Sequence, residues 1–163
     1  PNVTTIQIIF NMFRHRPSEL FFREAARRDV GIIVRVPLAS GLLSGKMSGD
    51  TTFESGDHRH FNREGAAFDK GETFSGVKFE KGIEAVEQLR QYFPEEEGTL
   101  AQWAIRWVLM FPEVSTVIPG ASNVEQAIDN AKASELPPLT PEQMNVVNDI
   151  YERYFKPRVH HMW

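Results

Sequence analysis

The sequence predicts an α/β fold built on a parallel sheet, and three observations carry that prediction. The first 37 residues read as strand, helix, strand, the unit that sets two strands parallel. A third β-branched run, Val114–Ile118, is again followed by helical spacing. One strand-to-helix rhythm runs through the whole chain, with no linker that would divide it into domains.

In order, residues 4–10 are short and β-branched and read as a buried strand. Pro17 suits a first helical turn, and Leu20, Phe21 and Ala25 carry a helix to about Arg28. After Gly31, residues 32–36 form a second buried strand stopped by Pro37. Residues 37–78 sustain no period and are rich in Gly, Ser, Thr and Asp, as functional or disordered loops are. Helical spacing returns over 78–92. Thr99 with Gln102 is a capping box opening a helix that is apolar nearly all round and ends by Pro112. After the third strand, Ser122 with Glu125 predicts a second capping box, with Val124, Ala127, Ile128 and Ala131 as the buried face. Thr140, Pro141 and Gln143 open a last helix to about Phe155, with Met144, Val147, Ile150, Tyr151 and Tyr154 inward.

Composition narrows the function. The 163 residues contain no cysteine, which excludes disulfides, cysteine-zinc sites and cysteine nucleophiles. Eighteen basic against 22 acidic residues give a net charge of −4, with no support for nucleic-acid binding by bulk charge. No apolar run is long enough for a membrane span, and no targeting leader is visible. Asn2-Val3-Thr4 fits a glycosylation pattern and reads as chance. The only dense His/Asp cluster, Asp57-His58-Arg59-His60, matches no common zinc spacing, and no metal is expected.

Ligands of parallel α/β folds collect at the C-terminal strand ends. The end after Ile118 has Gly120, which lets a backbone come close, and Ser122 at a helix start where N–H groups favour an anion. Gln126 and Asn130 continue one helical face. The plainer reading, that Ser122 or Asn123 is only an N-cap, stays open. The end after Val36 carries Gly41, Gly45 and Lys46. It fails as a P-loop, because three residues separate the glycines where that motif has four, and Met47 follows the lysine. It can still cradle phosphate, or be a plain surface turn. Gln7 and Arg35 are polar residues in apolar strands, each either satisfied structurally or aimed at a ligand.

Taken together these stretches resemble a known family. Ile6-Gln7, the run RVPLASGLLSGK at 35–46, LAQWAIRW at 100–107, VIPGASNVEQ at 117–126 and Asn130 occur in the order found in the C-terminal half of aldo-keto reductases. The branch is the one that includes potassium-channel β subunits and bacterial reductases. The resemblance implies part of an eight-stranded (β/α) TIM barrel, with strands six to eight present, their helices and a C-terminal helix. It makes residues 1–163 the C-terminal part of one barrel and 37–78 a long, flexible cofactor-side loop. The implied cofactor is NADP(H). Gln7 would contact the nicotinamide carboxamide. Arg35, Val36, Pro37, Leu38, Ala39 and Ser40, with Lys46 beyond, would run along nicotinamide and pyrophosphate. Arg59 would reach a phosphate, and Gly120, Ser122, Gln126 and Asn130 would hold the adenosine end. Arg35 stands where many relatives place an aromatic. Relatives often carry a basic residue near Gly120 or Gln126; its absence here leaves NAD(H) open.

The family's catalytic Asp, Tyr, Lys and His lie in its N-terminal half, and none of Tyr92, Tyr151 or Tyr154 matches that tyrosine. The resemblance therefore implies an oxidoreductase parent that reduces aldehydes or ketones, and a chain that is inactive alone. A nucleotide-sensing regulatory subunit is the alternative. Expected partners are a small carbonyl substrate and either an N-terminal half or a second copy, with no nucleic acid or membrane. The expected compartment is the cytoplasm. Phe61, Phe68, Phe74 and Trp163 are candidates for an apolar pocket wall, and the tail 154–163 for its rim. Length agrees: a barrel of this type takes about 250 residues, so the chain is expected to be part of a domain.

Overall fold

The computed structural model describes residues 2–162. Its centre is a three-stranded parallel sheet in the order β1 (Thr5–Ile9), β2 (Gly31–Arg35), β3 (Val114–Ile118). Gln7 sits opposite Ile33, Ile9 opposite Arg35, and Arg35 opposite Ile118. The β2–β3 register slips between Ile32 and Ile33. There the Ile32 N–H donates to Ser115 Oγ at 3.2 Å, and a Cβ on Gly31 would lie 3.1 Å from that oxygen. A side chain at position 31 would press on that hydroxyl.

Alternation puts Ile32 and Val34 on the helix side, where both are fully buried. The other face carries Thr5, Gln7, Ile9, Ile33 and Arg35, of which only Ile9 is buried. This corrects the expectation of buried strands over most of that face: of its β1 and β2 side chains only Ile9, at the C-terminal end, is buried.

Helix α1 (Phe21–Arg27) begins later than the sequence suggests, because Pro17 belongs to a separate 3-10 turn, Arg16–Ser18. The stretch 37–78 is not wholly irregular. It holds a 3-10 segment at Ala39–Ser44, the short α2 (His58–Phe61) and 3-10 turns at Lys70–Glu72 and Phe74–Gly76. Leu42, Leu43 and Phe74 from it enter the core. Helices α3 (Phe79–Arg90) and α4 (Leu100–Val108) follow, and Thr99 and Gln102 form the predicted capping box.

Helix α5 (Val124–Lys132) differs twice from expectation. Its N-cap is Asn123, which accepts the Gln126 N–H at 2.8 Å, while Gln126 Oε1 accepts the Ser122 N–H at 2.7 Å. The N-cap lies one residue past the predicted one, since Asn in extended backbone caps as well as Ser, and no capping box forms because Gln126 reaches past the N-cap to Ser122. Its apolar face is not buried: Val124 is 77% and Ile128 52% exposed. Helix α6 (Pro141–Ile150) has its predicted Thr140/Gln143 box. It then widens to a π segment, Tyr151–Phe155, before α7 (Lys156–Val159). Pro157 has no N–H for the Arg153 carbonyl, which accounts for the altered ladder.

Aromatic packing ties the ends together. Phe10 stacks on Trp107 at 4.9 Å, and Phe13 stacks on Phe155 at 3.9 Å. Strand β1 and the C-terminal helix thus share one core.

Candidate functional site

At the C-terminal edge of the sheet a cleft of about 560 Å³ opens between the loop after β2, α2, the start of α4 and α5. Val36, Pro37, Leu38, Ser40, Lys46, Arg59, Gly120, Ser122, Gln126 and Asn130 all line it. Residues predicted from three separate stretches are thus brought together. Gln7, Arg35 and Ala39 do not line it. Ala39 is fully buried, and Gln7 and Arg35 lie on the open face of the sheet.

One wall of the cleft is cationic. Arg59 is fixed by Asp57, with Nε 3.0 Å from Oδ1 and NH2 2.5 Å from Oδ2. Those bonds lower the Asp57 carboxyl to about 2 and raise the Arg59 guanidinium. Asp57 is also the N-cap of α2, and Arg59 lies over the Phe53 ring at 4.7 Å. Lys46 is exposed, with its backbone N–H on Ser44 Oγ. The opposite wall is the start of α5. A Cβ on Gly120 would meet nothing within 4 Å, so that backbone is open to a ligand. Asn130 Nδ2 donates to the Gly120 carbonyl at 3.2 Å, and Gln102 Nε2 to the Asp129 carbonyl at 2.9 Å. Cations facing a helix start suit a phosphate-bearing ligand.

The loop after β2 is strained. Val36, Ala39, Ser40 and Gly41 have φ of 55°, 48°, 59° and 94°. A β-branched valine rarely adopts that conformation. Asn11, fully buried just after β1, holds it: Nδ2 donates to the Val36 carbonyl at 3.0 Å, and Oδ1 accepts the Phe13 N–H at 2.9 Å. A second left-handed run, Phe74, Ser75 and Gly76, faces the first with φ of 50°, 56° and 79°. Ser40 Oγ stitches the two, donating to the Glu72 carbonyl and accepting the Phe74 N–H at 3.1 Å.

Arg35 forms a two-pronged pair with Glu72, NH1 to Oε2 at 3.2 Å and NH2 to Oε1 at 3.0 Å. The pair lowers the Glu72 carboxyl below the usual carboxylate range and raises Arg35. Neither Asn11 nor Glu72 stands out in the sequence. A polar residue directly after a strand was the one available signal for Asn11, and nothing marks Glu72 within an aperiodic loop.

Phe74 is buried, whereas Phe61 and Phe68 are partly exposed and meet edge to face at 6.2 Å, so the three do not form one pocket wall. Trp163 lies outside the described residues. Among those residues no three His, Cys, Asp or Glu side chains are placed to hold a metal ion, and no helix is long and apolar enough to cross a membrane.

Comparison with known proteins points to one family. A family model described as "Aldo/keto reductase family" matches residues 1–152. A probable voltage-gated potassium channel subunit beta of Arabidopsis thaliana is 30% identical over 151 residues, 88% of this chain and 42% of that protein. An uncharacterized oxidoreductase of Bacillus subtilis, YqkF, is 26% identical over 158 residues, 94% of this chain and 46% of its own length. The structure of a glycerol dehydrogenase, AKR11B4 from Gluconobacter oxydans, superposes with a TM-score of 0.72 at 28% identity, covering 92% of this chain and 42% of that one. The chain spans less than half the length of these relatives.

Proposed function

The chain belongs to the aldo/keto reductase family, and from that premise we propose that it is the cofactor-holding, C-terminal part of an NADP(H)-dependent carbonyl reductase. In this reading its strands are the sixth to eighth of a TIM barrel, residues 37–78 are the cofactor-side loop, and the open face of the sheet looks into the barrel. The observation that carries the proposal is the single cleft that gathers residues from 36–46, 58–59 and 120–130.

The residues present fit a dinucleotide phosphate. Arg59 and Lys46 would take the phosphates, Gly120 and Ser122 would admit the adenosine end, and Gln126 and Asn130 would fix it. Gln7 and Arg35 would meet the nicotinamide side from the sheet face. The bound group would supply the hydride that reduces an aldehyde or ketone. This chain's part is to bind and orient; the proton donor to the carbonyl oxygen is assigned to the part of the parent protein that these residues do not include. NAD(H) remains within the proposal, because no cation besides Arg59 and Lys46 is assigned to the phosphates.

Titration of the purified chain with NADPH, followed by cofactor fluorescence, tests the binding half. Saturable binding that weakens at least tenfold in Arg59→Ala supports it, and no binding overturns it. Carbonyl-dependent loss of NADPH absorbance with the chain alone would overturn its assigned inactivity.

A second reading is favoured by the likeness to the plant channel subunit. In it the parent senses nucleotide and turns over little. Tight NADPH binding by the full-length parent with negligible carbonyl reduction would select this reading over the first.

A further inference from the structure

The open face of the sheet carries one feature that does not line the cleft. Arg35 stands at the C-terminal end of the central strand, with Ile9 and Ile118 opposite it on either side. Its guanidinium grips the Glu72 carboxylate through two parallel hydrogen bonds, the geometry by which arginine recognises a planar carboxylate. A second guanidinium backs the site. Arg14 is 3% exposed, and its NH1 donates to the carbonyl of Gly71, the residue before Glu72.

The carboxylate between these arginines is not fixed by a rigid element. Glu72 ends a three-residue 3-10 turn, and one extended residue, Thr73, separates it from the left-handed run at Phe74–Gly76. Both partners keep about a third of their side-chain surface, 34% for Arg35 and 36% for Glu72. A pair so exposed contributes little to stability. Water, and an anionic ligand, can reach it.

We propose that Arg35 is the recognition residue for a carbonyl substrate bearing a carboxylate, and that Glu72 occupies its fork as an internal stand-in which that substrate displaces. This rests on the proposed reductase reading and names its substrate class. A ligand carboxylate would take both prongs of Arg35. Its chain would extend toward Ile118, which is 45% exposed, with its carbonyl toward the nicotinamide side of the cleft. The Glu72 side chain would swing out while its backbone stays in place. The Glu72 backbone carbonyl, bonded to Ser40 Oγ at 3.0 Å, is the hinge about which the side chain swings.

The test uses the chain itself and two stable ketones, 4-oxopentanoate and its uncharged counterpart pentan-2-one, titrated against backbone amide chemical shifts. The acid should shift amides around Arg35, Ser40 and Glu72, and the neutral ketone should not. Glu72→Gln should tighten acid binding about two- to five-fold, the range an exposed pair contributes. Arg35→Lys keeps the charge, loses the fork, and should weaken acid binding at least fivefold. Equal binding of the two ketones, or unchanged acid affinity in Arg35→Lys, overturns the proposal. Should Glu72→Gln unfold, the Arg35→Lys comparison decides. NADPH titrated into the wild-type chain reads the cofactor cleft separately. Loss of NADPH binding with acid selectivity kept refutes the reductase reading, and the reverse refutes the carboxylate fork.

Discussion

His15 shows how far burial can move one side chain. Its ring lies between Tyr151, at 3.9 Å, and Trp107, at 4.8 Å, and is bonded through Nε2 to the Met12 carbonyl at 2.8 Å. Burial lowers its pKa from 6.5 to about 3, with His160 and Lys156 adding to the effect. The folded chain thus keeps His15 neutral where the unfolded chain protonates it. Its linkage leaves stability intact above 6.5 and erodes it as pH falls toward 3. One such proton gives at most about 1.4 kcal/mol per pH unit. His15→Phe keeps the stacking, so thermal melts from pH 4 to 8 should show a flatter acid limb than wild type; parallel curves would refute this. Asn11 is the other residue whose loss should be felt. Asn11→Ala leaves the Val36 carbonyl and Phe13 N–H buried without their partner. It should cost about 2–4 kcal/mol in urea unfolding.

Among the elements, the sequence is most transparent where local chemistry decides. The Thr99 and Thr140 boxes are visible because an N-cap is satisfied within three residues. Helix α5 is less so. Its spacing names Val124 and Ile128 as inward, yet what such a face meets depends on neighbours that lie elsewhere in sequence or outside these residues. Cleft residues from 36–46 and 120–130 were legible because strand ends are ligand sites in this class of fold. The partnership of Arg35 with Glu72, 37 positions apart, has no local signature. Packing also inverts a familiar rule. Gly82 lies within α3, where alanine ordinarily helps by about 1 kcal/mol. Here a Cβ would fall 2.6 Å from Leu42 Cδ1 of the loop after β2. Gly82→Ala should therefore destabilise, by about 1–3 kcal/mol in chemical denaturation, and loosen that loop.

At the scale of the molecule, a parallel sheet normally has both faces covered. Here, among the described residues, β1 and β3 each have a single neighbour, and both Ile118, 45% exposed, and the apolar face of α5 are uncovered. Such surface seeks a partner. The chain alone should associate as its concentration rises, and Val124→Lys with Ile128→Lys should reduce that association in light scattering without lowering helix content.

The two left-handed runs at 39–41 and 74–76 have a kinetic meaning. Each is costly to hold alone, and each is held by the other through one serine hydroxyl. Neither gains from forming first. They should appear and dissolve as one cooperative unit, so amide hydrogens at Gly41 and Phe74, 33 positions apart in the sequence, should exchange with a common opening rate.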